Sequence, residues 1–376
     1  MMLYLDNAAT TSVRPEVLEA MMPYLTRWFG NPSSHHTVGE AAADALSDAR
    51  ARVARVVGMR ASDVVFTSGG TEANNLAVKG ITLASRGNHV VTSGIEHESI
   101  LESADFLARL HHVDVTRVPV DEYGRVHPEE LASALRDDTA LVTLGYANNE
   151  VGTVQEVRAL SAVTRERGIP LHLDAVQAAG WLPLADTGAD GLSIAGHKLG
   201  APKGTGALIV RGRVPLEPLL HGGGQERGRR SGTEDVAGAV GLATALELAE
   251  SERAESSARV AALRDAFIAA VLSRVESATL TGHPTGRLPG TASFTFALTS
   301  GEAVLLELER RGIVSSSGSA CAAGSDEPSH VLLAMGVAPE VAQTAVRFTF
   351  PHEARLDPDA LAAAVAASVT AVASGG

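Results

Sequence analysis

The sequence predicts an α/β fold: a mostly parallel central sheet with covering helices, joined to a smaller α+β segment. Three observations carry that reading. Short apolar runs alternate with longer amphipathic ones from Asp63 to Gly212, the pattern of parallel strands with crossover helices. Several of those runs end in polar or glycine-rich turns. From about Asp235 the texture becomes Ala/Leu/Glu-rich with helical periodicity, and a shorter α+β pattern follows.

The elements fall in order. "DVVFTS" (63–68) reads as a strand and "TEANNLAVKGITLASR" as its helix. "HVVTSG" is the next strand, "SILESADFLARLHH" its helix, and "VDVTRVPV" a further strand. "TALVTLGY" leads through "ANNEVGTV" to the helix "EVRALSAVTRERG" and the buried-type strand "IPLHLD". "DGLSIAG" and "GALIVRG" complete the region as strands. Beyond the long helical stretch lie "TASFTFAL", "GEAVLLELERRG", "PSHVLLAMG", "AVRFTF" and a final Ala-rich helix. No repeat or low-complexity linker separates the parts.

Composition narrows the function. At 376 residues the chain suits two domains, or a large α/β domain with an annex. A formal net charge of -13 gives no bulk field for nucleic acid or anionic lipid, leaving "RGRR" (Arg227–Arg230) as the best local basic patch. The single cysteine excludes an internal disulfide, a Cys-rich zinc cage and a self-contained iron–sulfur cluster. The adjacent pairs His35–His36 and His111–His112 point apart and make poor metal sites. With no secretory pattern at the start and no apolar run of membrane length, the expected compartment is the cytoplasm.

Four turns carry the chemistry, each beyond a predicted strand, where open α/β sheets bind ligands. In "TSGGTEANN", Gly69, Gly70 and Thr71 can cup a phosphate at a helix start; the plain alternative is a glycine-rich turn. In "LHLDAVQAAG", Asp174 ends an apolar strand and needs a partner, which a protonated heterocyclic nitrogen would supply, with Gln177 near a ring oxygen; a helix cap is the plain alternative. In "AGHKLGAPKGTGAL", Lys198 lies among glycines with no carboxylate nearby in sequence, a setting for a desolvated lysine tuned for Schiff-base chemistry, against the ordinary surface lysine. In "TSGIEHESI", His97 opens a helix, where its ring could stack on an aromatic system and exchange protons.

The cysteine sits in "SSSGSACAAGSDEPSH" (315–330). A lone cysteine is usually a buried hydrophobe, but here no large apolar neighbour is available to build a core around it. Cys321 is therefore a candidate reactive thiol.

The four turns have the parts of a pyridoxal phosphate site, and here the resemblance becomes specific. The chain resembles a cysteine desulfurase of the NifS/IscS type, in the class V aminotransferase superfamily of fold-type I enzymes. The matching stretches are "YLDNAATT", "GNPSSHH", "FTSGGTEANN", "IEHESI", "ANNEVGTVQ", "DAVQAAG", "GHKLGAPKGTGAL", "GGGQERGRRSGTED", "VSSSGSACAAGSDEPSHVLLAMG" and "VRFTF", in family order from Tyr4 to Phe350.

The resemblance implies pyridoxal 5'-phosphate as cofactor, with Lys198 the Schiff-base lysine, Asp174 at the pyridine nitrogen and Gln177 at the phenolate oxygen. It makes His97 the stacking and proton-moving ring, puts Gly70, Thr71 and His197 at the phosphate, and has Thr233 reach that phosphate from the partner subunit of a homodimer. Asn149 would serve cofactor and substrate, Arg347 the substrate carboxylate, and Cys321 would take the sulfur as a persulfide. No intrinsic metal is implied, although Cys321 could transiently ligate an iron–sulfur cluster shared with a scaffold protein. The implied large cofactor-binding domain spans 15–250, and 1–14 with 251–376 form the small domain. Partners would be L-cysteine and a sulfur acceptor, such as an iron–sulfur scaffold or a thiolation pathway, with no nucleic acid and no membrane. A selenocysteine lyase or another class V enzyme is the alternative within the superfamily; a sulfur-delivery subunit without catalysis is the alternative outside it. The chain departs from the family at Ala195, where a phosphate-binding serine is usual, so one hydroxyl donor is missing. It also has Gly70 where alanine is common and Thr349 where serine is usual.

Overall fold

Most of the chain's apolar runs become strands buried on both faces. The computed structural model describes residues 2–318 and 327–375; Cys321 lies outside the described residues. In chain order the strands are β1 (Leu3–Tyr4), β2 (Val64–Thr67), β3 (His89–Ser93), β4 (Asp114–Val118), β5 (Thr139–Gly145), β6 (Leu171–Asp174), β7 (Gly191–Ala195), β8 (Gly206–Val210), β9 (Ala278–Leu280), β10 (Thr291–Phe296), β11 (Ile313–Val314) and β12 (Ala345–Thr349). Seven form the large sheet, in the order β2-β8-β7-β6-β5-β3-β4. β3, β7 and β8 are buried at every position, which is why their sequences read as unbroken apolar or small-residue runs instead of alternating ones.

The sheet is mixed. Neighbours from β7 through β4 are parallel, whereas β8 runs antiparallel to both β7 and β2. Residues 196–205 join β7 to β8, and a stretch that short cannot carry a crossover helix, so the chain must double back. That return loop is where Lys198 sits.

Topology creates a crevice at one edge. From β3 the chain goes to β4 on one side, then back to β5 on the other. The carboxyl ends of β3 and β5 therefore flank an opening, the place where such sheets hold ligands. β2, β6 and β7 end at the same edge.

The helix Val236–Arg274, 39 residues long, runs from one core to the other. Its first half, including Leu242 and Leu246, packs into the core of the large sheet. Its second half packs into another core, beneath the antiparallel sheet β12-β10-β9. There Phe267 meets Phe294, Phe348 and Phe350 edge-on, with centroids 5.2–5.9 Å apart, the favoured arrangement of ring quadrupoles. The N-terminal β1 pairs in parallel with β11, which brings Asp6 to Ala9 over the crevice. No helix among the described residues is long and apolar enough to cross a membrane.

Candidate active site

A cavity of about 310 Å³ opens at the crevice, and Gly70, Thr71, His97, Asn149, Asp174, Gln177, His197, Lys198 and Arg347 all line it. These residues lie up to 277 positions apart in the sequence, between Gly70 and Arg347; the carboxyl edge of the large sheet gathers most of them, and β12 of the antiparallel sheet adds Arg347.

Lys198 is the centre. The short helical turn after β7 points its Nζ at the N-terminal segment, where it donates to the carbonyl oxygens of Ala8 and, at 2.7 Å, Ala9. Burial and then the Arg347 guanidinium push its ammonium down to about 8, although Asp6 and Asp174 work in the other direction. An ammonium that gives up its proton so easily leaves an amine available as a nucleophile near neutral pH.

Asp174 ends β6. Its Oδ2 accepts from Asn74 Nδ2 at 2.7 Å and its Oδ1 from the Val176 amide at 2.9 Å, which fixes the carboxylate without placing a cation against it. Gln177, three residues on in the turn after β6, donates to Ala8 O at 3.0 Å. The Ala8 carbonyl thus takes hydrogen bonds from both Gln177 and Lys198.

His97 caps the helix Glu98–His111, its Nδ1 accepting from the Ser99 amide at 3.0 Å. His197 lies 3.2 Å from Thr10 Oγ1, and burial, reinforced by Lys198 and Lys203, pushes it down to about 4, so it is neutral at pH 7.

The turn at Gly69–Thr71, where the sequence suggests a phosphate cup, depends on two close approaches. Gly69 has φ +149°, a conformation open essentially to glycine alone. A Cβ on Gly206 of β8 would lie 2.6 Å from the Gly69 backbone, so both positions need glycine for the turn to sit on the sheet edge. A Cβ on Gly70 would meet Val176 Cγ2 at 2.7 Å and Ala195 Cβ at 3.3 Å. That contact gives a physical reason for glycine at this departure from the family pattern.

Arg347, on β12 and 1% exposed, donates from Nη2 to Asp6 Oδ1 at 2.7 Å and from Nη1 to the carbonyls of Asn149 (2.8 Å) and Gly318 (3.2 Å). Its buried Nε has no partner among the described residues.

Thr233 is not in this cavity. It is exposed and lines a separate hollow of about 170 Å³ with Ser68, Thr205 and Arg230. Thr205, in the loop before β8, donates its hydroxyl to Pro202 O at 2.7 Å. The Arg227–Arg230 patch is largely committed inward: Arg227 bonds the carbonyls of Ser62 and Val64, and Arg230 pairs with Glu72 at 2.9 Å.

Sequence reasoning assigned no role to Asn74, Glu96, Ser99 or Asp6. Glu96 is buried, its Oε1 accepting from Ser93 Oγ (2.6 Å) and its Oε2 from the Gly145 amide (2.5 Å). It joins the ends of β3 and β5, and burial pushes it up to about 8 against the pull of those two bonds. The only trace of Asn74, Glu96 and Ser99 in the sequence is that they neighbour assigned residues in "IEHESI" and "TEANN", which does not say what they bond.

The profile of the family described as "Aminotransferase class-V" matches residues 3–356. The chain belongs to the class V aminotransferases. Within them it belongs with the cysteine desulfurases. It is 45% identical over 351 residues to cysteine desulfurase IscS of Dictyoglomus turgidum, covering 92% of this chain and 89% of that protein. It is 46% identical over 362 residues to an IscS-like cysteine desulfurase of Mycobacterium tuberculosis, covering 93% and 92%. A solved NifS-like protein superposes with a TM-score of 0.89 at 34% identity, covering 100% of this chain and 99% of that one. A structure described as SspA in complex with cysteine gives 0.82 at 35% identity, covering 93% and 99%.

Class V aminotransferases and cysteine desulfurases depend on pyridoxal phosphate, and the residues here fit that group. The turn at Gly70 has no room for a side chain, Lys198 is held easy to deprotonate, and a fixed carboxylate lines the cavity at Asp174. The arrangement can hold a phosphorylated aromatic aldehyde by its phosphate, ring nitrogen and aldehyde, with Arg347 left for a carboxylate.

Proposed function

We propose that this cysteine desulfurase binds pyridoxal 5'-phosphate in the cavity around Lys198 and passes the sulfur of L-cysteine to Cys321, releasing L-alanine. The observation that carries the reading is the placement of the easily deprotonated Lys198 in one cavity with Asp174 and Arg347. Lys198 would hold the cofactor's aldehyde, Asp174 its ring nitrogen, Gln177 its phenolate oxygen, and Gly70, Thr71 and His197 its phosphate. When bound, the cofactor supplies the electron sink for chemistry at the substrate Cα.

The chain's own residues do the rest. Arg347 suits the substrate carboxylate because its planar fork matches two oxygens, with Asn149 beside it. The free Lys198 amine would take the Cα proton on Nζ. His97, which lines the cavity, would stack on the cofactor ring and move protons. Cys321, as thiolate, attacks the substrate sulfur: its S–S bond forms as the substrate C–S bond breaks, and alanine leaves after protonation. A thiolate among small residues suits this role because it must both reach the substrate and present the sulfur to a partner.

The reading extends to a homodimer in the cytoplasm. Thr233, exposed and outside its own chain's cavity, would reach the partner's phosphate. The sulfur acceptor would be a protein of an iron–sulfur assembly or thiolation pathway.

The test is incubation of the cofactor-loaded protein with L-cysteine and a thiol reductant, measuring alanine and sulfide together. Equal yields are expected. Cys321→Ala should still change the absorption spectrum on adding L-cysteine but form no persulfide and almost no alanine. Desulfuration by that variant at the unmodified rate would make Cys321 a bystander and put selenocysteine lyase or general β-elimination in front.

A further inference from the structure

Asn74 and Ser99 connect Asp174 to His97 through a set of hydrogen bonds whose direction follows from counting donors. Asn74 is 1% exposed and Ser99 7%. Asn74 Nδ2 lies 2.7 Å from Asp174 Oδ2 and 2.9 Å from Ser99 Oγ. Only the amide nitrogen can face the carboxylate, since the opposite orientation would set two oxygens against each other. Both hydrogens of that nitrogen are then committed, one to Asp174 and one to Ser99. Asn74 Oδ1 is left buried with no partner among the described residues, so the carboxamide keeps this orientation while leaving one acceptor unsatisfied.

The Ser99 hydroxyl accepts from Asn74, which frees its own proton for another acceptor. His97 Nδ1 lies 2.8 Å from that oxygen and 3.0 Å from the Ser99 backbone amide. A backbone N–H cannot accept, so a hydrogen on Nδ1 would point at a fixed donor. Nδ1 is therefore the acceptor of both bonds, and the neutral ring carries its hydrogen on Nε2. His97 Nε2 has no partner among the described residues, and the ring lines the cavity.

We propose that Asn74 and Ser99 are positioning residues that hold His97 as the Nε2–H tautomer and fix its ring relative to Asp174, so that it presents a proton donor to the reacting groups. Asn74 acts as a fork, since one amide nitrogen sets the carboxylate that faces the cofactor ring and the hydroxyl that sets the imidazole. Both residues also line the cavity, and the role assigned here is exerted through the two groups they orient. The inference rests on reading this cavity as the cofactor site, but the tautomer can be read without turnover.

The experiment is NMR of cofactor-loaded protein labelled with 13C,15N-histidine, the His97 signals being assigned by their loss in His97→Gln. The unmodified protein should show protonated Nε2 and unprotonated Nδ1 at His97. In Ser99→Ala only the backbone donor remains. That donor still disfavours Nδ1–H, so this form should rise severalfold from a minor fraction, and kcat for alanine release should fall with KM nearly unchanged because the ring has lost the hydroxyl that fixes its orientation. Ser99→Thr keeps the hydroxyl and should restore both. Asn74→Ala, which frees the Ser99 hydroxyl to turn, should move the tautomer in the same direction as Ser99→Ala. The proposal is overturned by an Nδ1–H ring in the unmodified protein, a reading that needs no variant to fold. It is equally overturned by an unchanged tautomer in Ser99→Ala, or by a loss that Ser99→Thr does not restore. A protein with the Nε2–H ring that makes no alanine would instead defeat the desulfurase reading and leave this one standing.

Discussion

Arg347 Nη2 donates to Asp6 Oδ1 at 2.7 Å, so the guanidinium proposed for the substrate carboxylate already holds one of the chain's own. The pair is nearly buried on the arginine side, with 1% side-chain exposure against 18% for Asp6, where charge pairing is strong and breaking it is costly. An incoming carboxylate must share or displace Asp6. Asp6→Asn keeps the shape and removes the charge. The expected result is a several-fold lower KM for L-cysteine, measured by alanine release. A higher KM would mean that Asp6 aims Arg347 and does not compete with the substrate.

Lys198 gives a pH dependence of known sign. Its native value of about 8 lies below the usual 10.5, so between these values the unfolded chain binds more protons than the folded one. Stability of the cofactor-free protein should therefore rise with pH across that window, by up to about 3 kcal/mol. Lys198→Met should abolish the rise. Denaturant titrations from pH 7.5 to 10.5 check it, and an identical slope in the variant would contradict the burial of this amine.

Glu96 acts in the opposite sense. Its native value, pushed up from 4.5 to about 8, means that the folded chain holds a proton the unfolded chain has lost, so stability falls as pH rises from 4.5 to 8. Glu96→Gln can keep both bonds, accepting from the Gly145 amide and donating to Ser93 Oγ. The variant should match the parent near pH 5 and be increasingly more stable toward pH 8. A uniform loss at every pH would show that the carboxylate form is required.

Gly70→Ala should destabilise the protein by about 1–3 kcal/mol, because the new methyl meets Val176 Cγ2 at 2.7 Å in a packed turn. Val176→Ala in the same chain should recover most of that loss, and the coupling of the two changes is the diagnostic quantity. Melting curves and pyridoxal phosphate titrations of the four proteins would measure it. Simple additivity would mean that the clash is relieved elsewhere.

The strand and helix pattern from Asp63 to Val210 was legible because burial on both faces leaves apolar runs of strand length bounded by turn residues. The antiparallel return of β8 was decided by the length of the loop before it. The π-helical turn Leu76–Gly80 inside the predicted helix has no counterpart in the local periodicity. Most of the assigned cavity residues were found because they stand at or just beyond the end of a strand, whereas Arg347, inside β12, came only from the resemblance to a known family. Asn74, Ser99 and Glu96 were passed over. Their importance lies in hydrogen bonds to groups up to 100 residues away, and a side chain's partner across the fold leaves no local mark.

By itself, then, the sequence determined the alternating architecture, the candidate turns and the isolation of Cys321, all of which follow from local composition and spacing. Tertiary structure alone decided the state of those groups. Lys198 is easily deprotonated because folding buries it near Arg347, Asp6 holds Arg347 because β1 pairs with β11, and His97 has a defined tautomer because Asn74 reaches Ser99. Burial, charge proximity and donor direction depend on distances between segments far apart in the chain, and those distances exist only after folding.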